Sequence, residues 1–370
     1  MDHLDSPELA LLRASSARFV ADHAGETDAE RLWTQFRDLG WLGLDLPEHK
    51  GGSGLGPAAA VTVMEALGRG ALASPYLAGS LFPAGILARC PDADQALGDL
   101  LQGRLRAAVQ ANLSLPACDA SACSFTAAQE DSSLRLEGQA LLLGWGRMDV
   151  ALVLAALARQ GPALLLLPIT DIVGASLEPL NFVDGGEGAR VVLNGAVVSR
   201  AAVLADGAAA LTILDSARTA ALLAAAADNL GAMQALFDAT LTHVKLRRQF
   251  GRAIGSFQAL QFRLTDMWIK LDEARSLVLA AATALGIGEA NAAQLVAAAW
   301  LQCLWSGRVI AEEAVQMHGA IGMTQECAVG RAFKRMLVNE MIFGGEDVHL
   351  IAYDRLRADR EAPPAPGAAA

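Results

Sequence analysis

"VKLRRQFGRAIGSFQ", residues 244–258, sets Lys245, Arg247, Arg248 and Arg252 close together in a chain whose formal net charge is −11. An alanine-rich, proline-free run reaches this stretch from about residue 207, and a second long apolar run, "FQALQFRLTDMWIKLDEARSLVLAAATALG", leaves it. Glycine at 251 and 255 breaks the helical pattern between them, so the stretch reads as a turn-rich link with Arg247 at the end of the first helix. Cations there complement the negative end of a helix dipole. Guanidinium groups also hold a diphosphate bidentately, with Phe250 and Phe257 available to cover something flat. The stretch alone leaves both readings open.

Outward from this link, apolar residues recur at i, i+3 and i+4 along segments of about thirty residues, which predicts an antiparallel helical bundle over 207–360. Short apolar or alternating runs such as "SLRLEGQALLLGW", "DVALVLAAL", "PALLLLPI" and "ARVVLNGAVV" are separated by glycine, proline and Asn-Gly turns. They predict an antiparallel β domain over 107–206. Residues 1–106 are again helical: Ser6 and Pro7 open a helix, Gly40 stops another, and "PEHKGGSGLGP" is a glycine-rich loop. The tail 361–370, "EAPPAPGAAA", has nothing to bury and is expected to be disordered. The fold class is α+β and mostly α.

Composition narrows the function. Hydrophobic residues make up 53% and charged ones 19%, ample for a large core. An acidic balance argues against a nucleic-acid surface; Arg331, Lys334, Arg335, Arg355, Arg357 and Arg360 alternate with acids and fit a solvated helix face. The five cysteines, Cys90, Cys118, Cys123, Cys303 and Cys327, are odd in number and dispersed, as expected of reduced thiols in a cytoplasmic protein. No signal pattern opens the chain, its uninterrupted apolar stretches are too short for a bilayer, and the histidines are scattered, so neither a membrane nor a metal partner is expected. Walker A, HExxH and GxSxG patterns are absent.

A second stretch, "VQMHGAIGMTQE" at 315–326, ends a bundle helix at Gln316 and continues through Gly319, Ala320, Ile321 and Gly322, whose small side chains admit close approach to the backbone. Together, "RxxFG", the following "FQ" and "QxHGxxG" resemble the acyl-CoA dehydrogenase family. So does "LGWLGLDLPEHKGGSGLG" near the N-terminus. The resemblance implies that family's fold: an N-terminal helical domain, a middle β domain and a C-terminal four-helix bundle. It also implies FAD, with Arg247 at the diphosphate, Phe250, Phe257 and Gln258 beside the cofactor, and Gln316, Gly319, Ala320 and Gly322 giving adenine-side contacts across a subunit interface. The implied substrate is an acyl-CoA thioester, and the implied electron acceptor is an electron-transfer flavoprotein.

The family reaction removes an α proton with a carboxylate while hydride leaves the β carbon for the flavin, and the base must sit in a dry pocket. In this sequence Gly344 stands where the usual Glu would be, after Phe343. The alternative position, on the first bundle helix, holds Ala221 and Leu222. Glu346 is the remaining catalytic candidate, although it and Asp347 also suit the N-terminus of the last helix. The flavin-facing stretches of the β domain are altered too: "VQANLSLPACDAS" replaces the usual loop, and Leu142 and Gly144 replace the Trp and Thr, with Trp145 as a displaced substitute or a core residue. Paired large and small subunits occur in this family, and "FGGEDVHL" resembles the small-subunit ending. The expectation is therefore a base-lacking subunit of an α2β2 acyl-CoA dehydrogenase acting on a dicarboxylic, aromatic or steroid side-chain thioester. The alternatives are a homo-oligomer using Glu346 and a flavin-free scaffold or acyl-binding subunit.

Overall fold

The computed structural model describes residues 6–115, 123–158, 160–169, 172–324 and 327–361. The tail expected to be disordered lies, beyond Glu361, outside the described residues, as does Cys118. Helices α1 (Pro7–Asp22), α2 (Ala29–Asp38), α3 (Pro57–Arg69), α4 (Phe82–Leu87) and α5 (Asp94–Leu101) come first. Ser6 caps α1 by accepting from the Leu9 amide at 3.2 Å, with Pro7 at the first turn. Gly40, at φ +70°, ends the second helical segment as its sequence foretells.

Strands β1 (Ala107–Gln110), β2 (Phe125–Glu130), β3 (Ser133–Leu143), β4 (Val150–Leu157), β5 (Gly161–Pro168), β6 (Ala175–Asn181), β7 (Glu187–Ser199) and β8 (Val203–Asp206) form one sheet. It is not wholly antiparallel. β1 and β2 lie end to end between β3 and β4, antiparallel to β3 but parallel to β4. Alternation along a strand records which face is buried and carries no record of the neighbour's direction, so the parallel pairs are hidden in the sequence.

The bundle follows as α6 (Gly207–Leu246), a hairpin of β9 (Arg248–Gln249) and β10 (Arg252–Ala253), α7 (Gln258–Gly286), α8 (Ala292–His318), α9 (Ala328–Phe343) and α10 (Glu346–Glu361). Every residue from Ala221 to Met233 in α6 is buried. A helix apolar all round belongs in the centre of its bundle, which explains why α6 is long and apolar enough to pass as a membrane span. It crosses α3 with the two backbones touching: a Cβ at Gly231 would lie 1.9 Å from the Glu65 carbonyl oxygen, and one at Gly68 would lie 1.9 Å from that of Asp228. Only glycine permits this approach.

Asp228 is a carboxylate with no exposure in the middle of that apolar segment. It accepts from Arg335 Nε at 2.8 Å and from Asn339 Nδ2 at 2.6 Å. Asp184, in the β6–β7 turn, accepts from a second Arg335 nitrogen at 2.9 Å. Arg335 therefore does not sit on a solvated face: it is buried and ties α6, α9 and the β domain together. Its carboxylate partners are distant in sequence, so the local charge pattern gives no sign of them. Burial alone would lower the Arg335 pKa, but Asp228 and Asp184 outweigh it and raise the pKa above its ordinary value. Removing one partner would leave an uncompensated buried charge. Arg335→Met should lower unfolding stability by about 3–5 kcal/mol, read as a shift of the urea midpoint; an unchanged midpoint would show that the clip is idle.

Candidate functional site

Two places gather the residues singled out by sequence. The first is the tip of the bundle. Arg247 follows α6 directly, its amide donating to the His243 carbonyl at 2.8 Å, and its side chain is exposed. The hairpin turns on Phe250 and Gly251, at φ +53° and +80°. Two consecutive left-handed residues are what a two-residue hairpin demands, and Asn-Gly or Gly-Gly normally supplies them. A phenylalanine there is strained, and it is also 89% exposed. Its ring meets Phe257 edge-on with centroids 6.2 Å apart, and the Arg252 guanidinium lies over Phe257 at 4.0 Å.

At the same tip, Gln316 lies in the last turn of α8 and is exposed, Gly319 (φ +68°) and Ala320 are exposed, and Gly322 is buried. The two motifs touch within one chain, since the rings of His243 and His318 lie together with centroids 4.3 Å apart. In sequence these histidines look scattered; only the closing of α6 against α8 brings them together. An open groove of about 440 Å³ borders the tip, lined by Val244, Lys245, Gly255, Ser256 and Gln261 among others. That is within the usual ligand-site range of about 300–1,000 Å³. Exposed guanidinium and amide groups, glycines with open space beside them at Gly251 and Gly319, and the exposed Phe250 ring are groups of the kind that holds a dinucleotide diphosphate.

The second place is the cleft between the N-terminal helices, the β domain and α9. Leu77, Phe82, Trp145, Phe182, Arg335 and Phe343 are among its walls. Trp145, the candidate substitute for the missing flavin-facing Trp, is buried here, and its Nε1 is buried with no partner. The space within it is about 50 Å³, room for a few waters. The cleft is nineteen residues from the tip along α6, counted from Asp228 to Arg247, or about 28 Å at the rise of an α-helix.

Gly344, at the position of the family base, follows the cleft-wall residue Phe343 and has φ +93°. A Cβ there would meet Val348 at 2.7 Å and Leu115 at 3.1 Å. Its carbonyl accepts from Trp300 Nε1 at 3.0 Å, and Trp300 is fully buried against Phe343 and His349. Neither Glu346 nor Asp347 lines the cleft; both lie in the first turn of α10. Ala221 and Leu222 are buried core residues. Part of the "VQANLSLPACDAS" loop, from 116 on, lies outside the described residues, while Ser114 donates to the Ile342 carbonyl and fastens the remainder to α9.

The C-terminal domain of acyl-CoA dehydrogenases matches residues 206–355, and the N-terminal domain matches 7–96. The chain belongs to the acyl-CoA dehydrogenase family, whose members are FAD-dependent. It is 30% identical over 343 residues to the acyl-CoA dehydrogenase IpdE2 of Mycobacterium tuberculosis, covering 89% of this chain and 90% of the relative. Among solved structures, the ChsE4–ChsE5 complex of M. tuberculosis superimposes with a TM-score of 0.82 at 26% identity, covering 98% of this chain and all of the matched one. A variant of the Tcur3481–Tcur3483 steroid ACAD does so with a TM-score of 0.82 at 25% identity, over 96% of this chain and 99% of the matched one.

Two measurements test the closure and burial of the cleft. Gly344→Glu should leave the chain without dehydrogenase turnover and lower its stability by about 1–3 kcal/mol, because the backbone is left-handed and the space is taken; recovered turnover would show that the cleft opens. His349 donates from Nε2 to the Phe343 carbonyl at 2.7 Å and has a buried, unpartnered Nδ1. Burial lowers its pKa from 6.5 to about 4, and the bond to Phe343 only partly opposes this. The neutral ring thus stabilises the fold above pH 6.5, and that contribution, about 3 kcal/mol, disappears as pH falls toward 4. Melting curves of His349→Phe should have a flatter pH dependence across that window than those of the parent chain.

Proposed function

We propose that this chain is the base-lacking small subunit of a heteromeric, FAD-containing acyl-CoA dehydrogenase. The observation that carries this reading is Gly344: the base position lacks a carboxylate, its backbone angle strains any side chain, and a Cβ there would crowd Val348 and Leu115. The bundle tip meanwhile presents exposed Arg247, Gln258 and Gln316 beside the Gly319–Gly322 turn, which supports a dinucleotide-holding role. Because the tip and the chain's own cleft are about 28 Å apart, the tip serves a flavin seated in another subunit. Arg247 neutralises the diphosphate, Phe250 and Phe257 cover the cofactor, and Gln258, Gln316, Gly319, Ala320 and Gly322 supply amide and backbone contacts. FAD, when bound, supplies the hydride acceptor. The partner chain supplies the carboxylate that takes the α proton.

Exposed apolar side chains support a partner. Leu246, Phe250 and Ile321 at the tip, Phe262 and Trp268 on α7, and Met341 and Ile351 on α9 and α10 are all more than half exposed, and apolar surface of that extent marks an association face. ChsE4–ChsE5 is itself a complex, and the other solved relative is a steroid ACAD. The substrate class we assign is a bulky acyl-CoA thioester of the steroid side-chain kind, oxidised in the cytoplasm with electron-transfer flavoprotein as acceptor. The cleft of about 50 Å³ also favours a second reading, a flavin-free scaffold of the same fold.

Co-expression with an acyl-CoA dehydrogenase chain that carries the carboxylate separates these readings. The pair should purify yellow, and Arg247→Ala should lower its flavin content about tenfold or more, as expected for loss of a charge-assisted diphosphate contact. Glu346→Gln should leave turnover of the pair within about twofold, whereas loss of a true general base costs about a hundredfold or more. A colourless complex supports the scaffold, and collapse of turnover in Glu346→Gln supports an autonomous enzyme.

A further inference from the structure

We propose that the cavity walled by the glycine-rich loop near the N-terminus binds a small amino-acid zwitterion with an aliphatic body, its ammonium held by Asp45 and its carboxylate by Arg89. The site lies twenty-seven residues back along α6 from Arg247, counted to Ala220, or about 40 Å. It does not depend on what the tip binds.

The stretch "PEHKGGSGLGP", used by neither the tip nor the cleft, forms part of the wall. Its chain folds back on itself: the Gly54 amide donates to the Leu46 carbonyl at 2.9 Å, and the Gly52 amide to that of Pro47 at 3.2 Å. A Cβ at Gly52 would lie 2.2 Å from the Leu46 carbonyl oxygen, so the fold-back needs glycine. The cavity it borders is about 390 Å³, within the usual ligand-site range of about 300–1,000 Å³. Leu46, Pro57, Ala88, Ala220 and Leu285 give it apolar walls drawn from the loop, α3, the end of α4, α6 and α7. An aliphatic body of a few carbons buries apolar surface against such walls.

Two opposite charges face this space without a partner. Asp45 is half-buried, and among the described residues no side chain pairs with it or donates to it. The Tyr76 hydroxyl, near enough to feel the Asp45 charge, is committed to the Trp41 carbonyl at 3.1 Å. Burial pushes the Asp45 carboxyl up to about 6 against the opposing effects of its own backbone amide and of Arg89. The chain alone therefore leaves its charge under-compensated. Arg89 is exposed and donates from Nη1 to the Gly85 carbonyl, one turn back, at 2.6 Å. It acts on Asp45 through space, yet forms no ion pair with it or with any other carboxylate among the described residues. Lys50, also in the lining, is paired with Asp94 at 2.8 Å, and His49 borders the cavity from the turn Glu48–Lys50. A lone cation near Asp45 is opposed by Arg89, and a lone anion near Arg89 is opposed by Asp45. A molecule carrying both charges a short distance apart satisfies both groups and gains a charge-assisted hydrogen bond at each end.

Calorimetric titration of the purified full chain with L-leucine and with ε-aminocaproate, which differ in charge spacing, tests this. At least one should bind one-to-one. Analogues with a single charge, isoamylamine and isocaproate or hexylamine and hexanoate, should bind about tenfold or more weakly. Asp45→Asn and Arg89→Gln should each weaken the zwitterion about tenfold or more, and Arg247→Ala should leave it unchanged. Arg89 is exposed, so its variant keeps the fold even where Asp45→Asn does not; circular dichroism checks both. Failure of both zwitterions to bind, an affinity indifferent to Arg89→Gln, or a single-charge analogue that binds as tightly as its zwitterion overturns the site. Binding that is lost in Arg247→Ala assigns the ligand to the tip and overturns it too.

Discussion

The fold depends on accommodating an ionised carboxylate in the middle of its most buried helix. Asp228 has apolar neighbours before it and glycine three residues after it, and it is wholly buried. A bare carboxylate in that position would cost far more than a domain's net stability. Arg335 must therefore enter the core, and with one arm on Asp228 its other nitrogen is left to meet Asp184. That second contact draws the β6–β7 turn down onto α9. The walls of the cleft, Phe182 beside Trp145 and both beside Arg335, follow from it. The same clip that holds the β domain to the bundle thus forms part of the cleft wall.

Helix limits are readable in the sequence at Ser6, Pro7 and Gly40, because caps and left-handed stops are local chemistry. The three-part order is readable from the change of hydrophobic period. Arg335 is misread because its partners are 107 and 151 residues away, beyond any local pattern. The parallel contacts of β4 are invisible because burial alternation does not depend on strand direction. Around the site, the motifs identify the bundle tip, but the His243–His318 ring contact needs the packing of α6 on α8. The closure of the cleft needs the positions of Trp300 and Leu115 relative to Gly344. Glycine in place of Glu looks in sequence like the loss of one group; in the fold it also sits at φ +93°, where any side chain is strained and would crowd Val348.

Tip and cleft also obey different physical rules. Local preferences agree with the fold in the cleft, where large rings are buried and the Gly344 carbonyl is satisfied. At the tip they do not: Phe250 occupies a left-handed turn position suited to Asn or Gly, and presents its ring to solvent. Places where local preference is overridden without compensation inside the chain tend to be functional. The strain, of order 1–3 kcal/mol, together with the exposed ring, is offset only when another surface covers the hairpin.

Charge leads to the same asymmetry. A chain of net charge −11 repels a dinucleotide at long range, so its attraction must be local and must act within a Debye length, about 8 Å in physiological salt. Arg247, Arg248, Arg252 and Lys245 supply such a local field at the tip. In the cleft Arg335 is committed to two carboxylates and the buried cluster keeps an excess of one negative charge, which disfavours another anion such as the phosphates of coenzyme A. The electrostatics therefore favour binding at one end of α6 and oppose it at the other. This asymmetry is the one expected under the function proposed above, in which the tip faces a cleft of another chain.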